Sequence, residues 1–215
     1  MEKLLWLYRL PYDAQYPVIC LDERPCFLLG DVVKSLSMKE DSAEKQHYEY
    51  EKKGSCCLLL AVEPITGKRI AAVYDQRRKI EYAQFMKKVA EEFPGAIKIR
   101  VIQDNLNTHN ESSFYEYFEA KEAFELGQRF EFYYTPKKAS WLNAVETEFS
   151  VISRCCLKKR IDDKEILEQK VLDFLKVRQE KKIKINWAFS ISDARDKFRK
   201  YYEKINKANQ KIKET

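Results

Sequence analysis

The stretch Val18-Ile19-Cys20-Leu21-Asp22-Glu23 decides the fold. It is apolar, partly β-branched and closed by acids, so residues 17–23 read as a buried strand that delivers a carboxylate at its end. Ile99-Arg100-Val101-Ile102-Gln103-Asp104-Asn105 repeats the pattern, with a strand over 97–103 ending in Asp104. A carboxylate in that place projects from the edge of a buried sheet, where a cleft can form. A third acid, Glu146, follows Trp141-Leu142-Asn143-Ala144-Val145 at the start of an expected helix. Three carboxylates converging in one cleft repel one another unless cations sit between them. Hard oxygen ligands suit Mg²⁺ or Mn²⁺. The residues alone therefore point to metal-dependent cleavage or transfer of a phosphodiester.

Outward from these strands, residues 1–16 read as a lead-in segment. Cys26-Phe27-Leu28-Leu29-Gly30 reads as a second short strand pairing with the first, and the charged stretch 31–54 as a loop, mobile around Lys39-Glu40-Asp41-Ser42. Ser55–Val62 is an apolar run suited to a central strand. Pro64-Ile65-Thr66-Gly67 signals a turn into its hairpin partner, Arg69–Asp75. Helical spacing runs from Lys79 to Phe93 and stops at Pro94-Gly95. A helix over Glu111–Glu125 with a stripe of Phe114, Tyr117, Phe118 and Phe124 precedes the last strand, Arg129–Tyr134. Long helices are then expected over Trp141–Lys159, Asp162–Lys181 and Asp193–Lys213, the last with Lys204, Lys207, Lys211 and Lys213 on a solvated face.

Three antiparallel strands followed by alternating helices and strands imply a mixed five-stranded α/β sheet covered on both faces. This is the layout of a ribonuclease-H-like fold, expected over 17–160, with a helical extension over 161–215. Such a fold carries an acid on the first strand, another at the end of the fourth and a third on the helix after the fifth.

Composition narrows the partners. Of 215 residues, 45% are hydrophobic, enough for a core, and the net charge of +6 permits a nucleic-acid partner without requiring one. The six cysteines, Cys20, Cys26, Cys56, Cys57, Cys155 and Cys156, lack C-x-x-C spacing. With only His47 and His109 as imidazoles, they argue against structural zinc and read as buried free thiols of a reducing cytoplasm. No signal peptide is visible, and no apolar run approaches the ~20 residues of a membrane span.

Three segments carry a family resemblance: Cys20-Leu21-Asp22-Glu23, Asp104-Asn105-Leu106-Asn107-Thr108-His109, and Thr135-Pro136-Lys137-Lys138-Ala139-Ser140-Trp141-Leu142-Asn143-Ala144-Val145-Glu146. Together they resemble the DDE transposases of bacterial insertion sequences, in the IS six-thirty branch of the Tc/mariner superfamily. Tyr48-Glu49-Tyr50-Glu51, Glu63-Pro64-Ile65-Thr66-Gly67 and Trp187-Ala188-Phe189 extend the likeness over about residues 8–202. The resemblance implies cleavage at the ends of a mobile element and joining of the 3′ ends to target DNA at a TA step. It implies Asp22, Asp104 and Glu146 as catalytic ligands of two Mg²⁺ or Mn²⁺ ions. These would lie roughly 3.5–4 Å apart, activating the attacking oxygen and stabilising the leaving one. It also implies a homodimer on DNA in a bacterial, nucleoid-associated cytoplasmic setting. Members usually carry His at the position of Lys138, and an N-terminal helix-turn-helix for which Asp22 lies too close to Met1. The expectation is therefore a catalytic half, served by a separate helix-turn-helix chain or left by truncation.

Around the acids, Glu23 is expected on the opposite side of the strand from Asp22, in a supporting role. Glu148 is about 200° round the helix from Glu146 and cannot share its site. His109 could contact phosphate, orient a metal ligand or satisfy a local hydrogen bond. Asn105 and Asn107 read as turn and cap residues, and Asn143 as a neighbour of the cleft. Trp141 reads as core or a cleft wall, or else as a stacking surface for a flipped base. Lys137, Lys138, Arg154, Lys158, Lys159 and Arg160 form either a phosphate-binding strip or an ordinary basic surface. A nuclease that cuts without joining, and an idle DNA-binding fragment that poisons a transposase oligomer, are the competing functions.

Overall fold

The computed structural model describes residues 1–33 and 47–206. Helix α1 (Glu2–Arg9) leads into strands β1 (Val18–Asp31), β2 (Tyr50–Val62) and β3 (Arg69–Tyr74), then α2 (Lys79–Glu91) and β4 (Ile99–Gln103). A 3₁₀ turn (Glu111–Glu116), α3 (Ala120–Gly127) and β5 (Phe130–Tyr134) follow. After a 3₁₀ turn at Ser140–Leu142 come α4 (Val145–Cys155), α5 (Lys164–Glu180), α6 (Ile191–Lys197) and α7 (Arg199–Ile205). The five strands form one mixed sheet in the order β3-β2-β1-β4-β5, with β1–β2 and β2–β3 antiparallel and β1–β4 and β4–β5 parallel. The expected ribonuclease-H-like architecture is present.

Period-2 alternation sends neighbouring strand residues to opposite faces. Cys20, Leu58, Leu60, Val73 and Ile102 pack beneath α1, α4, α5 and α6, while Ile19, Leu21, Leu59, Ile70 and Val101 pack beneath α2 and α3. Residues 1–16 are more than a lead-in, because Leu4, Leu5 and Leu7 of α1 are buried in the first of these cores. The C-terminal region joins the same core through Leu167, Val171 and Leu175.

Several local expectations are corrected. Cys26–Gly30 is not a separate strand but the continuation of β1, with a register irregularity between Leu28 and Leu29. The strand also reclaims part of the expected loop, since β2 starts at Tyr50. Residues 50–55 are exposed on both faces, so they carry no apolar signal. Pro25 is tolerated inside β1 because β4 pairs only with Val18–Cys20 and leaves that edge without a neighbour beyond. The helix expected over 111–125 is split, with Phe114 buried but Tyr117 and Phe124 exposed. The helix expected over 141–159 is broken at Asn143, whose backbone is extended (φ −92°, ψ 111°). The one expected over 193–213 is broken at Phe198 (φ −106°, ψ 17°). Four cysteines are buried as expected, but Cys155 is exposed and Cys156 partly so. The segment Lys39–Ser42 and residues Lys207, Lys211 and Lys213 lie outside the described residues.

Candidate active site

The cleft arises where two parallel strands part company. Cys20↔Ile102 is the last rung between β1 and β4, and Asp22 and Asp104 each lie two residues beyond it. β1 continues while β4 ends, which opens a crevice at the carboxyl end of the parallel strands, the usual ligand position in open α/β sheets. Glu146 enters from the first turn of α4, where the helix dipole favours a negative charge. Its approach is fixed by struts. Asn143 Nδ2 donates to the Leu21 carbonyl (2.8 Å), next to Asp22. The Tyr8 hydroxyl donates to the Leu142 carbonyl (2.8 Å) and accepts from the Ala144 amide (3.0 Å). Asn143 is thus buried and ties α4 to the central strand rather than lining the cleft.

The electrostatics register the convergence. Burial, with the charges of Glu23, Asp104 and Glu146, pushes the Asp22 carboxyl up to about 7 against the hydrogen bond it accepts from the Glu23 amide (2.8 Å). Asp104 moves the other way. Burial works to raise it, but His109 beside it outweighs burial and holds it below its ordinary value.

His109 is 2% exposed and lies between two acids, with Nδ1 2.5 Å from Asp104 Oδ1 and Nε2 2.8 Å from Glu23 Oε2. Burial opposes its charge, yet the two carboxylates raise its pKa to about 9. At neutral pH it is an imidazolium bridging Glu23 to Asp104. Tyr82 stacks on its ring (4.9 Å between centroids), and Gln103 Nε2 donates to its carbonyl (2.9 Å). Of the roles open to His109, orientation of an acid is the one the geometry supports, because a buried, doubly engaged ring presents nothing to a phosphate. Glu23 reaches Asp104 through this ring. Tyr8, Tyr82 and Gln103 were invisible in the sequence because their partners lie far along the chain or depend on side-chain reach. Asn105 is exposed, and the residue that caps the following 3₁₀ turn is Asn110, not Asn105 or Asn107.

Hard carboxylate oxygens where burial, with neighbouring acids adding to it, raises the Asp22 carboxyl suit a divalent cation of the Mg²⁺ or Mn²⁺ type. Among the described residues, no group of three His, Cys, Asp or Glu side chains is drawn together as a preformed metal cage. The residues fit such an ion as donors that it would gather.

Glu148 is excluded from the cleft. It is fully buried on the other side of α4, with Arg69 Nη2 3.0 Å from Oε2 and Arg178 Nε 2.6 Å from Oε1. The basic candidates divide into two groups. Lys137, Lys138 and Trp141 are exposed before α4, and Lys138 has a left-handed backbone (φ 61°). Arg154, Lys158 and Lys159 are exposed at the far end of α4. Arg160 leaves the expected strip, because its guanidinium donates to Asp31 Oδ1 (2.8 Å) and to the Glu49 and Tyr48 carbonyls (2.8 and 3.1 Å).

Among solved structures, the chain is similar to the Mos1 mariner paired-end complex with Mn, at TM-score 0.54 and 12% identity over 98% of this chain and 60% of that one. It is similar to the Mos1 transposase paired-end complex with left transposon end, at 0.53 and 13%, covering 85% and 58%. A pre-cleavage Mos1 transpososome gives 0.54 and 12%, covering 85% and 59%. This chain therefore spans about 60% of the length of those chains. At such identities the likeness speaks for the fold. No curated protein matches the chain. A family model does: residues 17–168, which contain all three acids, match the DDE superfamily endonuclease family, and the chain belongs to it.

Proposed function

We propose that this chain is the catalytic part of a transposase of the IS six-thirty branch, cutting DNA at element ends and joining the 3′ ends to a TA target. The observation that carries the reading is geometric: Asp22 and Asp104 each lie two residues past the last β1–β4 rung, and Glu146 stands on the first turn of α4, which Asn143 ties to β1. In this reading Asp22, Asp104 and Glu146 would hold two Mg²⁺ or Mn²⁺ ions. Bound there, the ions would supply charge neutralisation and a more acidic attacking hydroxyl. His109 and Glu23 hold Asp104 in one orientation, and Asn143 and Tyr8 hold the start of α4 against β1. Fixing Asp104 and the start of α4 in this way limits how far those donors must move to meet an ion.

Two of the Mos1 structures are paired-end complexes, one of them with Mn, which supports element-end DNA and a divalent ion as partners here. Two chains on DNA, and a helix-turn-helix carried on a separate chain, complete the proposal, with the bacterial cytoplasm and nucleoid as its setting. The test is cleavage and joining of pre-nicked element-end DNA into a TA-containing target with Mg²⁺ or Mn²⁺. Joined product that disappears with Asp104→Asn supports the reading. Cleavage without joining would make the chain a nuclease, and a folded, metal-binding chain with neither would make it a regulatory fragment. Glu146→Gln that keeps joining while Glu148→Gln abolishes it would reverse the assignment of the third acid.

A further inference from the structure

Between the loop 135–144 and α7 lies a groove of about 600 Å³, within the size range of ligand pockets. Trp141 (42% exposed), Tyr201 (69%) and Ile205 (83%) line it, an apolar and aromatic set that a chain with no partner usually keeps scattered. The aromatic wall is braced from behind. Trp141 and Phe198 lie 6.5 Å apart and 27° from parallel, Phe189 meets Trp141 edge-on at 5.4 Å, and Phe198 continues to Tyr201 at 6.3 Å. The rim is cationic. Lys137 and Lys138 line the groove, and Lys197 Nζ stands 5.8 Å from the centre of the Trp141 ring. Glu2, beside α7, is already matched by Arg195 and bonded by Tyr202.

We propose that this groove takes a single-stranded segment of DNA, with unstacked bases against Trp141 and Tyr201 and phosphates along Lys137, Lys138 and Lys197. The inference deepens the transposase reading and rests on it only for the source of the strand. Aromatic faces interleaved with cations are the recurring chemistry of single-strand binding, because every base has a π-face and every linkage a negative charge. Duplex DNA has no open base face and could use the lysines alone. A second copy docking by two-fold symmetry would set one lysine rim against its own image. An apolar peptide would strip water from three ammonium groups without pairing them. Trp141 lies on the loop whose Asn143 is bonded to Leu21, beside Asp22.

The test uses the intact chain in EDTA, titrated into labelled oligothymidylate and into a duplex of equal length and followed by anisotropy and tryptophan fluorescence. The expected result is tighter binding of the single strand with quenching of tryptophan emission. Trp141→Ala and Tyr201→Ala should each weaken it by roughly tenfold, from the lost stacking of about one base, and Trp141→Phe should restore most of it. Lys176→Glu, a charge reversal on α5 away from the groove, should leave it near the wild-type value. If Trp141→Ala fails to fold, Tyr201→Ala carries the test from a more exposed position. Equal binding of duplex and single strand with no effect of Tyr201→Ala overturns the proposal. So does a dimer that Tyr201→Glu splits while single-strand affinity stays unchanged, which would assign the groove to a second copy. Because EDTA removes metal-dependent cleavage from the measurement, an inactive enzyme with an intact groove and an active enzyme without one are told apart.

Discussion

Asp22 sits where the fold works against its own charge. An ordinary aspartate ionises near 4, but burial and the neighbouring acids hold Asp22 to about 7 in the native state. The folded chain therefore binds more protons than the unfolded one across that interval, and stability falls as the pH rises through it. His109 adds to the trend at higher pH. Its native pKa of about 9 lies above the ordinary imidazole value, so its contribution is complete below about 6.5 and is lost as the pH rises through 9. The protein without divalent ions should thus melt at a lower temperature near pH 9.5 than near pH 6. Asp22→Asn should melt above the wild type near pH 8, as read by circular dichroism. A variant that melts lower would mean that the Asp22 charge is stabilised rather than strained. His109→Ala should weaken Mn²⁺ binding by roughly 10–100-fold, the usual cost of removing a group that orients a ligand. His109→Gln, which can still hydrogen-bond Asp104, should lose less. The sequence placed the three acids at two strand ends and a helix start; Asp104 does follow β4 and Glu146 does open α4, whereas Asp22 lies inside β1, just past its last rung with β4. The bridge from Glu23 through His109 to Asp104 was not legible, because adjacent strand residues are expected on opposite faces and only side-chain reach reunites them.

At the scale of elements, the buried acid of α4 does different work from the exposed one. Glu148 joins β3 through Arg69 and α5 through Arg178, with both Glu148 and Arg69 side chains fully buried. Removing one partner of a buried ion pair strands the other, so Glu148→Ala should lower the unfolding free energy by about 3–5 kcal/mol in urea titrations. A change below about 1 kcal/mol would show that the network is dispensable. The turn into β3 is equally constrained. Gly67 has φ +80°, and a Cβ there would meet the Ile183 carbonyl oxygen at 2.5 Å. Gly67→Ala should therefore destabilise the chain and loosen the segment after α5, seen as faster amide exchange around Ile183 and Ile185. Strands with apolar runs were readable from periodicity. The first part of β2 was not, since the ribbon it forms with the end of β1 is solvated. The break at Asn143 was hidden as well, because its tertiary bond to Leu21, not local propensity, fixes that turn.

Across the whole molecule, the strand order β3-β2-β1-β4-β5 explains how acids far apart in sequence come within electrostatic reach of one another. Central β1 contributes Asp22, neighbouring β4 contributes Asp104, and α4 crosses back with Glu146 once β5 is complete. This much follows from element order and the right-handed crossover rule. The aromatic groove beside the cleft does not, since it depends on where the C-terminal helices settle against the loop before α4. Among the described residues no helix is long and apolar enough to cross a membrane. The central claim is that Asp22, Asp104 and Glu146 form one divalent-ion site, and Mn²⁺ titration read from the free-ion electron paramagnetic resonance signal tests it most directly. The account predicts that Asp22→Asn, Asp104→Asn and Glu146→Gln each weaken binding at least about tenfold, while Glu148→Gln, where it stays folded, does not. Wild-type affinity in all three cleft variants, or loss only with Glu148→Gln, would contradict it.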